Sequence, residues 1–200
     1  MIYVEYIERD RHVPVELFRH LGDQSRSWVE ADADRMILQL GRTLRFGPDP
    51  TYLAFWRIAG LERLDDWEAY FSSPAWHDNR RSQAMHRAIH IQRAGLYDEL
   101  LDPGEPGQGL YAVEFIEAPR STTDASLRKH YAGRAERHGE GSLDLLLRRV
   151  GVLGPDPAHL AVWTFPSHVA MEDFLREDPC GPGIGVASIG LYRRLGDEIL

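Results

Sequence analysis

From Tyr3 to Glu8 aromatic and β-branched residues crowd into one short run, the pattern of a strand. Pro14 then opens a helix, where its missing N–H costs nothing, and Val15, Leu17, Phe18 and Leu21 follow on it. Met36 to Leu44 and Tyr52 to Ile58 predict two further strands, joined across Gly47-Pro48-Asp49-Pro50, all turn formers. Leu61, Leu64, Trp67 and Phe71 return to helical spacing, with Asp65 and Asp66 early in that helix, where the dipole favours acids. His90 to Tyr97 predicts the last strand of a β-α-β-β-α-β series.

The series then repeats. Val4-Glu5-Tyr6-Ile7-Glu8 returns as Val113-Glu114-Phe115-Ile116-Glu117, and Gly47-Pro48-Asp49-Pro50 as Gly154-Pro155-Asp156-Pro157. Leu53-Ala54-Phe55-Trp56 answers Leu160-Ala161-Val162-Trp163, and Gly95-Leu96-Tyr97 answers Gly190-Leu191-Tyr192. A period of half the chain is too long for a solenoid, whose repeats run about 20–50 residues. The reading is a duplication, residues 1–104 and 105–200, joined by the turn-rich Asp102-Pro103-Gly104-Glu105-Pro106-Gly107. Thr122 or Thr123 caps the first helix of the second copy. The fold class expected is α+β, two ferredoxin-like halves. Two helices cover only one face of a four-stranded sheet, so the other faces must pack together or close into a barrel.

Composition narrows the partners. The 200 residues are 43% hydrophobic and 27% charged, ordinary for a globular chain. A formal charge of −8 disfavours nucleic acid and anionic membrane, and no apolar run approaches a bilayer span. The strand-like, early-acidic start argues against a signal peptide, and the lone Cys180 excludes an internal disulfide, so the expected compartment is the cytoplasm. Lys129 is the single lysine against many arginines, which reads as the codon bias of a GC-rich bacterial genome.

Tandem β-α-β-β-α-β halves resemble the dimeric α/β-barrel superfamily. Leu127-Arg128-Lys129-His130-Tyr131, followed by His138, is similar to the first helix of EthD-like chains. Trp67-Glu68-Ala69-Tyr70-Phe71-Ser72-Ser73-Pro74 is similar to the second helix and its Ser-Pro end, with a weaker echo in Asp173 to Pro179. The resemblance extends to NIPSNAP-like proteins, antibiotic-biosynthesis monooxygenases and haem-handling relatives such as chlorite dismutases. It implies either cofactor-independent chemistry, oxygenation included, or haem binding.

Strand parity supplies the candidate chemistry. Val4, Tyr6, Val113 and Phe115 are the uniformly bulky set, assigned to the helix side, so Glu5 and Glu114 are expected to point between the sheets. Two carboxylates in one apolar cavity raise a pKa toward neutrality, as a general acid or base requires. The structural alternative ties each to an arginine such as Arg42, Arg57 or Arg93. Trp56 and Trp163 are either lumen walls for an aromatic ligand or plain core. His90 is the candidate proton partner of Glu5, with Gln92 next on its face, and Gln39 is a further candidate substrate contact. His86 and His90 lie four apart, but with no His-Glu-x-x-His and the region passing into a strand, no metal site is expected. No dinucleotide loop or nucleophile elbow occurs. The first copy alone carries the stretch from Trp76 to His86, and this asymmetry points to a working site in the first half.

The expected function is a small-molecule enzyme without organic cofactor, abstracting a proton from an aromatic or carbonyl-activated substrate. Haem binding or degradation is one alternative, with His77, His86, His90, His130 and His138 as candidate ligands. A non-catalytic ligand-binding or accessory subunit is the other. Outer strands ending in Arg42, Arg45, Arg148, Arg149, Arg193 and Arg194 discourage edge pairing, so a monomer or a homodimer through the helices is expected.

Overall fold

The structure, a computed structural model, describes residues 1–10, 12–14, 34–43, 47, 50–101, 104–119 and 121–195. The helix expected beyond Pro14, with His20, and the residues Arg45, Pro48 and Asp49 lie outside these. The elements are β1 (Ile2–Arg9), β2 (Arg35–Arg42), β3 (Tyr52–Arg57), α1 (Glu62–Phe71), α2 (Pro74–His77), α3 (Arg80–Ala88) and β4 (Ile89–Glu99). They continue with β5 (Leu110–Glu117), α4 (Asp124–Arg137), β6 (Ser142–Arg149), β7 (His159–Phe165), α5 (His168–Arg176) and β8 (Gly185–Arg194). Thr123 caps α4, its hydroxyl accepting from the Ser126 N–H at 3.2 Å.

All strand pairs are antiparallel, and the order β1-β3-β2-β8-β5-β7-β6-β4 closes into a barrel. The chain is thus α+β, with β4-β1-β3-β2 and β8-β5-β7-β6 following the same connectivity. The seams are β2 on β8, where Gly41 faces Arg193, and β4 on β6, where Asp98 faces Arg148. The expectation of free charged edges is corrected here: the outer strands pair with one another. Arg148 links Asp98 at 2.9 Å to Asp124 at 2.7 Å, and Arg149 holds Asp156 at 2.8 Å.

The expected parity is inverted. Val4, Tyr6, Val113 and Phe115 line the barrel interior with Leu38, Leu53, Phe55, Tyr97, Leu147, Leu160 and Tyr192, one core drawn from both halves. A second core joins α4 and α5 to β5, β6 and β7 through Leu127, Tyr131, Trp163 and Phe174. A third lies on the outer face of the first half around Met36, Ala54, Trp56 and Leu96, with Leu64 and Trp67 of α1 against it. The central strands are buried on both faces, so bulk alone does not tell inside from outside. The lumen took the uniformly apolar set because polar groups there have only each other for partners. Tyr6 and Tyr97 meet that need with a buried hydroxyl pair at 2.9 Å.

The repeated turn has a packing reason. Gly154 has φ +146° and its α-hydrogen side faces Gly95, where an added Cβ would stand 2.7 Å from the Gly95 Cα. Gly47, φ +105°, meets Gly190 in the same way at 2.4 Å. Each turn therefore presses on the last strand of the opposite half, and the repeated glycines are partners. Arg42 and Arg149 donate to the carbonyls of Gly47 and Gly154 at 3.2 and 3.0 Å.

The stretch peculiar to the first half forms α2 and α3. Ser73 caps α2, and the buried Trp76 packs edge-on against Tyr70 and Phe71.

Candidate functional site

The two repeated glutamates occupy equivalent places, one on each outer sheet face beneath the helix layer. Across the second half the register reads Ile189, Glu114, Ala161, Leu146 on β8, β5, β7 and β6. Across the first it reads Ala94, Glu5, Ala54, Gln39 on β4, β1, β3 and β2. Cross-strand partners share a face, so each set is one transverse row. Glu5 and Glu114 thus do not meet in the lumen as expected; the barrel wall separates them.

Glu114 is wholly enclosed. Arg134, on the inner side of α4, donates from Nη1 to both carboxylate oxygens at 2.8 Å, and Trp163 Nε1 adds a bond at 3.1 Å. Both ion-pair side chains are 0% exposed. Arg134 Nε reaches Glu177 at 3.1 Å, and Glu177 also receives Arg137 and His138. Burial would raise the Glu177 carboxyl, but the bonds from His138, Arg137 and Arg134 outweigh it and hold it down at about 2. Leu146 and Ile189 fill the rest of the row.

The first half keeps the carboxylate and changes everything around it. Trp56 Nε1 donates to Glu5 Oε2 at 2.9 Å, and this is the hydrogen bond Glu5 makes among the described residues. Arg42, Arg57 and Arg93 are engaged elsewhere, on Gly47 O, on Glu99 and over the Tyr6 ring. Burial pushes the Glu5 carboxyl up to about 7 against the pull of the Trp56 N–H. Burial, and then the Glu5 charge, push the Tyr3 hydroxyl up as well. Smaller Ala94 replaces Ile189, and polar Gln39 replaces Leu146. Gln39 is 6% exposed, and its amide has no hydrogen-bond partner among the described residues. Two strand spacings put its Cα roughly 10 Å from that of Glu5 across the Ala54 floor. Trp67 of α1 closes the side, its ring 6.0 Å from Trp56 and 5.4 Å from Tyr3.

The remaining candidates fall elsewhere. Trp56 and Trp163 face the helix layers and not the lumen. His90 is exposed and pairs with Glu8, three residues along β1 from Glu5 and on the other face. Gln92 is the extra residue of a bulge in β4, exposed and without a cross-strand partner in β1. Neither joins Glu5. Trp67 was legible only as a helical apolar position, and Arg134 carried no signal, since its meaning depends on which side of α4 faces the sheet.

Four of the five candidate histidines do not suit an iron-bound haem. Such a ligand must offer a free ring nitrogen into an apolar pocket. His77 and His90 are exposed, and the His86 side chain lies outside the described residues. His130 Nε2 bonds Pro179 O at 3.1 Å; His138 Nε2 bonds Glu177 at 2.7 Å, with its ring edge-on to Trp163 and Phe174. Among the described residues no three His, Cys, Asp or Glu gather to hold a metal, and no helix is long and apolar enough to cross a membrane.

No family model matches the chain, and no curated protein matches it. Solved structures do. An anthrone oxidase-like protein is 13% identical with a TM-score of 0.52, covering 99% of this chain and 94% of its own. The chlorite dismutase of Candidatus Nitrospira defluvii is 11% identical with a TM-score of 0.57, covering 97% and 92%. The chain shares the fold of these structures. At such identities the likeness is one of fold.

Proposed function

We propose that the chain is a small-molecule enzyme whose acid–base group is Glu5, beneath the helix layer of the first half. The frame is read as two ferredoxin-like halves, residues 1–104 and 105–200, which share strand order and register. One observation carries the reading. The same glutamate is neutralised and sealed by Arg134 in one half, and left with a single indole N–H among the described residues in the other.

A carboxyl titrating near 7 serves proton transfer at neutral pH in either direction. In the proposed step the Glu5 carboxylate takes a proton from a substrate C–H. The C–H electron pair passes into the adjacent carbonyl, whose oxygen the Gln39 amide stabilises. Return of the proton to another carbon completes an isomerisation and needs no further reagent. Trp56 holds the carboxylate, and Trp67 gives a flat wall to an aromatic substrate. Oxygenation of the carbanion would need dioxygen as co-substrate. The haem alternative has the fold behind it, but His77, His90, His130 and His138 are not placed for it, and Glu114 and His90 carry no step.

Anthrone, an aromatic ketone with an acidic methylene, is the first probe, chosen from the anthrone oxidase-like neighbour. In deuterated water, with dioxygen excluded, the protein should speed exchange of acidic C–H protons in a panel of aromatic ketones, read by NMR. Glu5→Gln should cut the acceleration by about 100-fold or more while His90→Ala leaves it unchanged. Equal exchange by wild type and Glu5→Gln would end the assignment; a Soret band on adding haemin would move it to the haem reading.

A further inference from the structure

In the second half the chain supplies its own ligand. The Arg134 guanidinium carbon lies 4.9 Å from the Phe174 ring centroid, 5.3 Å from Trp163 and 5.5 Å from Tyr131, while Nη1 grips Glu114. A planar cation thus sits among three rings, with Glu114 and Glu177 as its carboxylate partners.

Among the described residues the first half repeats the Glu114 side of this cage without a cation. Glu5 stands for Glu114, and Trp56 for Trp163, with the same indole bond to the carboxylate. Trp67, on α1, stands for Phe174, on α5, each packed on its own tryptophan at 6.0 and 5.1 Å. Tyr3 adds a third ring at 5.4 Å from Trp67. Tryptophan is the best ring for a cation, so replacing Phe174 by Trp67 strengthens that character. No arginine or lysine among the described residues pairs with Glu5.

We infer that the carboxylate of Glu5, with the rings of Trp56, Trp67 and Tyr3, receives a cation from outside: an amidinium, guanidinium or protonated amine carried on an aromatic body. A neutral occupant would leave the carboxylate without a counter-charge under apolar walls. A planar cation would give it charge-assisted hydrogen bonds and stack on Trp56 and Trp67. The inference rests on the reading of Glu5 as the acid–base group and adds the charge of what enters; the substrate becomes an aromatic ketone bearing a basic nitrogen.

The test compares benzamidinium with its neutral isostere benzamide by calorimetric titration of the full chain at pH 8. Benzamidinium should bind at least tenfold more tightly. Glu5→Gln should reduce it to the level of benzamide, and Trp67→Leu should weaken it severalfold. Benzamide binding as well as benzamidinium, or neither binding, overturns the inference, as does a Glu5→Gln protein that still prefers the cation. Should Glu5→Gln not fold, the wild-type pair and Trp67→Leu decide. If benzamidinium fails to bind yet Glu5→Gln loses proton exchange, only the cation inference falls. If it binds through Glu5 and exchange does not need Glu5, only the proposed reaction falls.

Discussion

A carboxyl that titrates near 7 when folded and near 4.5 when unfolded takes up protons on folding between those values. Through that interval the folded state binds more protons, so Glu5 makes stability fall as pH rises from about 4.5 to 7, with no further change above. Glu5→Gln should leave stability below pH 4.5 nearly unchanged and raise it at pH 8, by at most about 3 kcal/mol. Glu114→Gln should do the reverse, costing about 3–5 kcal/mol by leaving the buried Arg134 charge short of its partner. Urea unfolding of both variants at pH 4 and pH 8 checks the pair. Repetition made the two glutamates visible in the chain, and nothing in their own segments foretold that one would be ion-paired and the other would meet only an indole N–H among the described residues. That difference lies in Arg134, twenty residues beyond Glu114, and in Ala94 and Gln39, which reach the row only by strand pairing.

At the scale of elements, the turn at Gly154 bears on both halves at once. Ala there must take φ +146° and also drive its Cβ into the Gly95 backbone, whereas Gly151, φ +56°, faces open space. Gly154→Ala should therefore cost about 2 kcal/mol or more and Gly151→Ala about 1 kcal/mol, the latter the strain of a left-handed alanine alone. Thermal melts of the two variants separate the terms. The strands were legible because aromatic and β-branched runs between turn formers are local features. The bulge at Gln92 was not, because it exists only against β1, and it breaks the simple alternation that put His90 and Gln92 together.

For the whole molecule the two seams matter most. Residues 1–104 alone would expose one face of β1 to β4, the unpaired flanks of β2 and β4, and half of the shared interior. That fragment should self-associate, rebuilding the barrel from two copies, or else lose its near-ultraviolet circular dichroism. Light scattering that found a well-folded monomer would contradict the shared core. The repeated segments, the order of the described strands, the turns and the identity of the paired glutamates were legible in the sequence by itself, because each rests on local periodicity or on repetition. Which face of each strand turned inward was decided only by the tertiary structure. Both faces are buried, so hydrophobicity does not distinguish them, and closure of the barrel assigned the uniformly apolar set to the lumen. The raised pKa of Glu5 was decided there too, since a buried carboxyl takes its pKa from neighbours brought to it by packing and not by sequence.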